Sequence, residues 1–193
     1  MKQNKGFSLV ELIIVIAIMA ILAAAIAPAL IRYIDKSRKS DDIEVCGVVG
    51  EAVLLTINSG DADDGTGVDK DMYELWCTNS STNTRYSVSV DGGAAYQVEC
   101  VAYWQNGATS DEFVNGGDSD FQPFVDSVNL NVGTPQSKML KFTKGPSNNV
   151  LDTIYVMKHV ATSEIEVWVG YGGGGSGGNP LYELYPEQCS DYK

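Results

Sequence analysis

The sequence predicts an α+β protein in which one long N-terminal helix covers an antiparallel β-sheet. Three observations lead to this prediction. Residues 12–31 are an uninterrupted apolar run without a charge. A helical apolar stripe follows this run, and segments of alternating apolar and polar residues fill much of the remaining chain. Such alternation is typical of strands with one covered face, and the helical stripe is the natural cover.

The apolar run is long enough to cross a bilayer as a helix. Residues 12–31 span roughly 30 Å at about 1.5 Å per residue. Pro28 is the one irregular residue in the run, because it cannot donate to the Ala24 carbonyl and crowds it. This predicts a kink or a local loosening at Pro28, which acts either as a hinge or as an ordinary membrane proline. The membrane half of the helix is therefore placed at residues 7–31.

The same helix is predicted to continue as an amphipathic half over residues 32–58. Its apolar stripe follows helical spacing and consists of Ile43, Cys46, Val49, Val53 and Ile57. Residues 58–60 (Asn-Ser-Gly) then supply a helix stop. The expected helix thus runs from about residue 8 to residue 58.

The rest of the chain, residues 59–193, is predicted to be a globular domain with a sheet of four to five antiparallel strands. A hairpin turns at the Asp-Gly-Gly of residues 91–93. We expect short helical segments at residues 72–76 and 118–128 and a flexible glycine-rich stretch at 172–178. The expected strands are residues 86–90, 95–104, 139–143, 151–158 and 164–171.

The distribution of charge argues against nucleic acid as a partner for most of the surface. Residues 41–193 carry 23 acidic and seven basic side chains, a formal charge of −16. Phosphate recognition depends on Lys and Arg, which are scarce there. A local patch of Lys138, Lys141 and Lys144 is the one candidate exception, and a solvated strand face and its end is the better interpretation of these three residues.

The sequence contains no convincing catalytic, metal or cofactor site. The acidic stretch 61–71 lacks the EF-hand glycine and glutamate at the required positions, so a solvated loop is expected there. Gly170, Gly172 and Gly175 match a dinucleotide-binding pattern, but Asn-Pro follows where a helix should begin. The single histidine, His159, has no nucleophile motif around it and is expected to be a packed or surface side chain.

The cysteines indicate disulfides in an exported domain. No C-x-x-C pair occurs among Cys46, Cys77, Cys100 and Cys189, so zinc and redox motifs are not expected. If the helix stripe covers the strand face that carries Cys100, Cys46 can pair with Cys100, which leaves Cys77 for Cys189. Free buried thiols are the alternative.

Three interpretations of the N-terminus compete on the residues alone. A conventional signal peptide would be cut after Ala25 or Ala27, and a plain membrane anchor would not be cut. The third interpretation depends on Glu11, since a carboxylate at the edge of a long apolar run is costly and usually has a partner. No cation lies nearby in sequence on the membrane side, so another molecule or a chain terminus should supply the partner.

The segment Lys5-Gly6-Phe7-Ser8-Leu9-Val10-Glu11-Leu12, followed by an aliphatic helix, resembles the class III leader of type IV prepilins. The resemblance covers the chain to about residue 38. It implies that residues 1–6 are a leader peptide, that prepilin peptidase cuts after Gly6, and that Phe7 becomes N-methylated. It also implies that Glu11 pairs with the new amine of an adjacent subunit and that Pro28 loosens the helix.

The resemblance further implies a pilin-like fold and a structural, non-enzymatic role without a cofactor. The expected partners are further copies of the chain, prepilin peptidase, the cytoplasmic membrane and the pilus assembly platform. The precursor would span the cytoplasmic membrane once, and the mature chain would form an extracellular fibre. A pseudopilin of a secretion or DNA-uptake system is the first alternative, and a conventionally secreted soluble protein is the second. Pilins often close a C-terminal disulfide loop, so a Cys189–Cys100 bond competes with the pairing given above.

Overall fold

The computed structural model of the chain describes residues 7–63, 69–107, 112–133 and 139–192. Helix α1 extends from Leu9 to Ile57, which confirms the predicted single helix. Its end is closed by side chains, because the Asn58 amide donates to the Leu54 carbonyl at 2.7 Å and the Ser59 hydroxyl donates to the Thr56 carbonyl at 2.7 Å. The chain divides after Ser37 into two compact units, and α1 contributes residues to both.

The second unit contains a six-stranded antiparallel sheet with the order β3-β4-β6-β7-β8, in which β5 also pairs with β4. Every neighbouring pair of strands is antiparallel, as the sequence predicts. The strands are β3 (Arg85–Val88), β4 (Tyr96–Gln105), β5 (Val114–Asn115), β6 (Thr153–His159), β7 (Ile165–Tyr171) and β8 (Asn179–Tyr185).

Shorter elements flank the sheet. Where the sequence predicts only an acidic loop, β1 (Asp61–Asp63) pairs with β2 (Asp69–Asp71), and residues 64–68 of that loop lie outside the described residues. Helix α2 (Met72–Cys77) begins at Asp71, whose carboxylate accepts from the N–H groups of the next turn. Helix α3 (Gln122–Val132) has Pro123 in its first turn and confirms the predicted helical segment.

The sheet separates two clusters of buried side chains. The larger cluster lies between the sheet, α1 and α3, and the helix stripe at Cys46, Val49, Val53 and Ile57 belongs to it as predicted. Burial of a large apolar side chain contributes roughly 1.5–3 kcal/mol, so this stripe holds α1 on the sheet. The smaller cluster lies on the opposite face of the sheet. Its buried members are Val88, Val98, Cys100, Tyr155, Met157 and Trp168.

A β-bulge in β4 decides which cluster each of its side chains joins. The register of β4 against β6 shifts between Cys100 and Ala102. Val98 and Cys100 lie in the smaller cluster, whereas Val101, Ala102 and Trp104 lie in the larger one. The extra residue reverses the alternation beyond the bulge. Strict alternation along the strand would place Ala102 on the same face as Cys100, and the bulge places it on the other face.

Residues 139–143 do not form the predicted strand. The N–H groups of Lys141 and Phe142 donate instead to the carboxylate of Asp42 on α1, at 2.6 and 2.9 Å. At its end, the Thr143 carbonyl accepts the Leu151 N–H at 3.1 Å, and an isolated bridge joins the next residue, Lys144, to Val150. The Asp42 side chain therefore accepts the hydrogen bonds that a neighbouring strand would accept in a sheet.

The C-terminal region contains a strand that the sequence does not reveal, β8. The glycine-rich stretch before it connects β7 to β8, and Gly173 and Gly174 within it are buried. A Cβ atom at Gly174 would overlap the Tyr103 ring, and the Tyr86 hydroxyl donates to the Gly175 carbonyl at 2.9 Å. Glycine is therefore needed here for a close approach to aromatic rings.

Candidate functional site

The start of α1 is organised by a reciprocal pair of hydrogen bonds. Glu11 Oε2 accepts the Ser8 N–H at 2.9 Å, and Ser8 Oγ accepts the Glu11 N–H at 3.3 Å. This capping box fixes the Glu11 carboxylate in the first turn, where the helix dipole favours a negative charge. Phe7 precedes the box and is 83 % exposed. Gly6, the residue expected before the cleavage site, lies outside the described residues.

The apolar half of α1 has no cover within the chain. An 18-residue window of the helix has a mean hydropathy of 3.0, and none of that window is buried. Its exposed large side chains are Leu9, Val10, Leu12, Ile13, Ile14, Val15, Ile16, Ile18, Met19, Ile21, Leu22, Ile26, Leu30 and Ile31. The helix is long and apolar enough to cross a membrane. A continuous apolar surface of this kind marks contact with lipid or with other protein chains.

Pro28 and a group of basic residues lie towards the end of this apolar surface. Pro28 lies within α1, which is helical on both sides of it. The missing N–H removes one bond of the helical ladder at that point. Arg32, Lys36 and Arg38 follow as exposed side chains.

Asp42 joins α1 to the C-terminal part of the chain. Besides the two N–H groups of the 139–143 segment, its carboxylate accepts the Tyr192 hydroxyl at 2.6 Å. Burial raises the pKa of this completely buried carboxyl group. The Lys39 ammonium lies 4.9 Å from the centre of the Phe142 ring and 5.3 Å from that of Tyr192. Sequence reasoning missed this site, although Asp42 occupies the position four residues before Cys46 on the apolar stripe.

A second buried polar network lies beside β4 and β6. Glu99 is fully buried and accepts the Ser80 N–H and the Asn83 amide, each at 3.1 Å. The Lys158 ammonium lies 3.7 Å from the same oxygen, and burial lowers the pKa of this lysine. A buried pair of this kind is costly to break, because removing one partner leaves the other charge uncompensated. The signal that could have revealed it is a charged residue at a buried position of each of two apolar strands.

The lone histidine is packed, as expected. The His159 ring stacks on Tyr96 with the ring centres 4.8 Å apart. Its Nδ1 accepts the N–H groups of Ala161 and Thr162, both at 3.2 Å. These bonds hold the turn after β6.

The cysteines do not form the expected disulfides. All four are free thiols: Cys46, Cys100 and Cys189 are buried, and Cys77 is exposed. Because of the bulge, Cys100 lies in the smaller cluster and Cys46 in the larger one. The Cys189 thiol donates to Asp91 Oδ1 at 3.1 Å rather than bonding to Cys77 or Cys100. Both pairings considered for the sequence are therefore absent.

Two of the three lysines of the candidate basic patch belong to the described residues. Lys138 lies outside the described residues, and Lys141 and Lys144 are exposed. Both described lysines belong to the irregular segment that Asp42 holds. They are solvated as expected, but they do not lie on a strand.

Comparison with known proteins finds a family model at the N-terminus and two similar pilus proteins. The family described as "Prokaryotic N-terminal methylation motif" matches residues 1–27. The chain is 32 % identical over 111 residues to the type IV major alpha-pilin of Moraxella bovis, which covers 56 % of this chain and 66 % of that protein. It is 36 % identical over 81 residues to a fimbrial protein of Dichelobacter nodosus, which covers 37 % and 51 % respectively.

The chain thus spans just under two thirds and about half of the lengths of these relatives. No solved structure matches it significantly. The longer match exceeds the length of the leader and α1 together, so the similarity includes part of the globular domain. With the exposed apolar helix, the capping box at Glu11 and the antiparallel sheet under the helix, these matches show that the chain is similar to type IV pilins and carries the N-terminal methylation motif of a class III prepilin leader.

Proposed function

We propose that the chain is the structural subunit of a type IV pilus or a pilus-like fibre and polymerises through the apolar half of α1. The observation that carries this proposal is the wholly uncovered apolar surface of residues 9–31, which starts at a positioned carboxylate. Water cannot solvate such a surface without a large free-energy cost. Lipid covers it in a precursor, and neighbouring helices cover it in a fibre.

Processing prepares the helix for assembly. Prepilin peptidase removes residues 1–6, and the amine of Phe7 becomes the new N-terminus and is methylated. This places a positive charge four residues from Glu11, at the start of a helix whose first turn disfavours cations. Pairing with a carboxylate relieves that cost.

The pairing partner is the Glu11 of an adjacent subunit. Its own chain uses one Glu11 oxygen to accept the Ser8 N–H, and the side chain is exposed. In a low-dielectric environment, an ion pair is much stronger than in water, and an unpaired charge is much more costly. The same interaction therefore attracts a subunit to the growing fibre and sets its axial position.

The remaining features have roles in the same process. Pro28 lets the helix bend or stretch as it moves from lipid into the fibre. The domain of residues 59–193 forms the outer wall, and residues 32–58 connect this wall to the fibre core.

Substitution of Glu11 tests the assembly step. Glu11→Gln keeps the shape of the side chain and removes its charge, so we expect processed chain to accumulate in the membrane while surface filaments fall at least about tenfold. Glu44→Gln is the matched control, since Glu44 is exposed on the same helix outside the apolar half. Sheared filaments and membrane fractions are quantified by immunoblotting. Normal filament yield with Glu11→Gln would show that the ion pair is not required for assembly.

A further inference from the structure

A cleft of about 630 Å³ lies in the second unit, between the last turn of α1, helix α2, the turn after β6 and the end of β8. Four glutamates line it: Glu164, Glu166, Glu183 and Glu187. Among the described residues, no lysine or arginine lines it, and His159 is its one basic side chain. The volume is within the range of pockets that hold small molecules or a protein side chain.

Aromatic rings form much of the remaining wall. They belong to Tyr73, Trp76, Tyr96 and Tyr185. Two of these rings are held in place, because the Trp76 indole donates to the Ser163 carbonyl at 2.8 Å and the Tyr96 hydroxyl donates to Glu166 at 3.1 Å. Aromatic faces beside carboxylates attract cations that have an apolar body.

Glu183 is the unusual group in this cleft. It is 7 % exposed, and its carboxylate has no hydrogen bond or ion pair to any of the described residues. Glu166 differs, since it accepts from both Tyr96 and the Trp168 indole. Buried carboxylates normally have partners, because an unpaired one loses its hydration without compensation.

The charges around Glu183 increase that cost. Burial raises the pKa of Glu183 to about 8, and the negative charges of Glu166, Glu187, Asp91 and Glu164 act in the same direction. A positive ligand would relieve both the missing hydrogen bond and the repulsion.

The spacing of the glutamates favours an extended cation over a metal ion. Among the described residues, only Asp91, Cys189 and Asp191 bring three acidic or thiol donor atoms within 4.8 Å of one another. None of these three lines the cleft. A metal ion requires several oxygens at one point, whereas a lysine or arginine side chain uses one carboxylate at its head and apolar contacts along its stem.

We propose that this cleft binds an organic cation with a primary ammonium or guanidinium head and an aliphatic stem, as in a lysine or arginine side chain. The head pairs with Glu183, and the stem lies along the rings of Tyr73, Trp76 and Tyr96. The site is separate from the N-terminal assembly surface and does not depend on the proposed fibre function.

Binding of blocked amino acids to the full-length mature chain in non-ionic micelles tests the proposal. We expect saturable calorimetric binding of N-acetyl-lysine methylamide and N-acetyl-arginine methylamide at pH 8. N-acetyl-norleucine methylamide has a similar stem and no charge, and we expect it to bind at least about tenfold more weakly. Equal binding of the neutral probe, or no binding of either cationic probe, would overturn the proposal. So would competition by calcium chloride at equal or lower concentration.

Two substitutions locate the site. Glu183→Gln should lower the affinity for the cationic probes at least about tenfold. Glu51→Gln makes an equal charge change on the exposed side of α1 and should leave that affinity unchanged. Tyr73→Ala removes a ring that is 64 % exposed, so folding is not at risk, and we expect about threefold weaker binding or more. Unchanged affinity in both Glu183→Gln and Tyr73→Ala contradicts the assignment.

The cation can come from a neighbouring copy or from another molecule, and assembly separates these sources. Arg32 and Arg38 are exposed on each chain, so a neighbouring copy in a fibre is one source of such a cation. If they fill the cleft, purified filaments lose the probe binding that the micellar chain shows. If the cation comes from another molecule, filaments retain it. This comparison rests on the proposed fibre, whereas the micelle measurement stands without it.

Discussion

At the scale of single residues, Asp42 connects α1 to two segments that are distant in sequence. Three donors from two distant segments converge on it: two backbone N–H groups and the Tyr192 hydroxyl. Hydrogen bonds to a charged acceptor contribute more than neutral ones, and buried donors left without a partner are costly. One side chain on the helix therefore fixes both the 139–143 segment and the C-terminus.

We predict that Asp42→Asn lowers the free energy of unfolding by about 2 kcal/mol or more, because an amide cannot accept all three bonds. Asp41→Asn is the matched control, since Asp41 is exposed and its charge disfavours ionisation of Asp42. The control should change stability by less than about 0.5 kcal/mol. Urea unfolding of the micellar chain, followed by tryptophan fluorescence, measures both. Equal stability of the two variants would contradict this role of Asp42.

Glu183 makes stability depend on pH. Its pKa in the folded chain is about 8, above the ordinary value of 4.5, so between these values the folded state holds a proton that the unfolded chain has released. Stability therefore falls as pH rises through this window. Burial also raises the pKa of Glu166, which acts in the same direction, whereas hydrogen bonds from Cys189 and Ser190 lower that of Asp91, which acts oppositely.

We predict that Glu183→Gln removes part of this dependence. The variant should resemble the parent chain at pH 5 and be more stable than it at pH 8.5, because glutamine never has to ionise in the cleft. Urea unfolding of both chains across this range checks the difference. Parallel pH profiles for the two chains would show that Glu183 ionises normally.

The thiols give a further residue-scale prediction. Burial raises the pKa of Cys46 and Cys100, which disfavours the reactive thiolate. We expect a maleimide to label Cys77 first in the folded chain and all four cysteines after unfolding without reductant, as measured by intact mass. Two labels or fewer on the unfolded chain would show that disulfides form.

At the scale of elements, two glycines of α1 show how the helix fits the sheet. A Cβ atom at Gly50 would lie 2.6 Å from ring atoms of Tyr185, whereas one at Gly47 would have no atom within 4 Å. Both positions are helical, so alanine improves intrinsic helix propensity by up to about 1 kcal/mol at each.

We predict opposite effects for the two alanine substitutions. Gly47→Ala should stabilise the chain by about 0.5–1 kcal/mol, because only the propensity term changes. Gly50→Ala should destabilise it by about 1–3 kcal/mol, since the Tyr185 ring must move away from the helix. Urea unfolding of each variant measures the change in the free energy of unfolding and its sign. Stabilisation by both substitutions would place Tyr185 away from α1.

The elements also show what a sequence can predict. The long helix, the hairpin and α3 carry their signals locally, in apolar periodicity, a turn motif and a proline in the first turn, and these predictions are confirmed. The segment 139–143 has strand-like residues, but its N–H groups are taken by Asp42, which lies about 100 positions away in sequence. The bulge at Cys100 and the packing of Gly174 against Tyr103 depend equally on tertiary contacts.

The candidate sites also differ in whether their signals are local in sequence or depend on tertiary contacts. Glu11 stands out in the sequence because it is a carboxylate at the edge of a long apolar run, and its capping box with Ser8 lies within one turn. The cleft around Glu183 is assembled from five separate segments, and nothing near Glu183 in sequence distinguishes it. The absence of the Cys46–Cys100 pairing has the same origin, because the bulge in β4 leaves Cys100 on the face of the sheet that does not carry Cys46.

At the scale of the whole molecule, the charge division near residue 40 separates two kinds of surface. The N-terminal half of α1 presents an uncovered apolar surface that ends in basic residues, and the residues after it carry the excess of acid. The first surface requires lipid or other chains around it, whereas the second suits contact with water. This combination suits a subunit that is held in a membrane and then transferred to a fibre.

The intact mass of the chain isolated from surface filaments tests this account most directly. If the chain is a processed pilin, the filament subunit begins at N-methylated Phe7 and lacks residues 1–6. A subunit of that mass as the main component of the filaments is the predicted result. A chain that starts after Ala25 or Ala27, recovered as soluble protein in the medium and absent from filaments, would contradict the account.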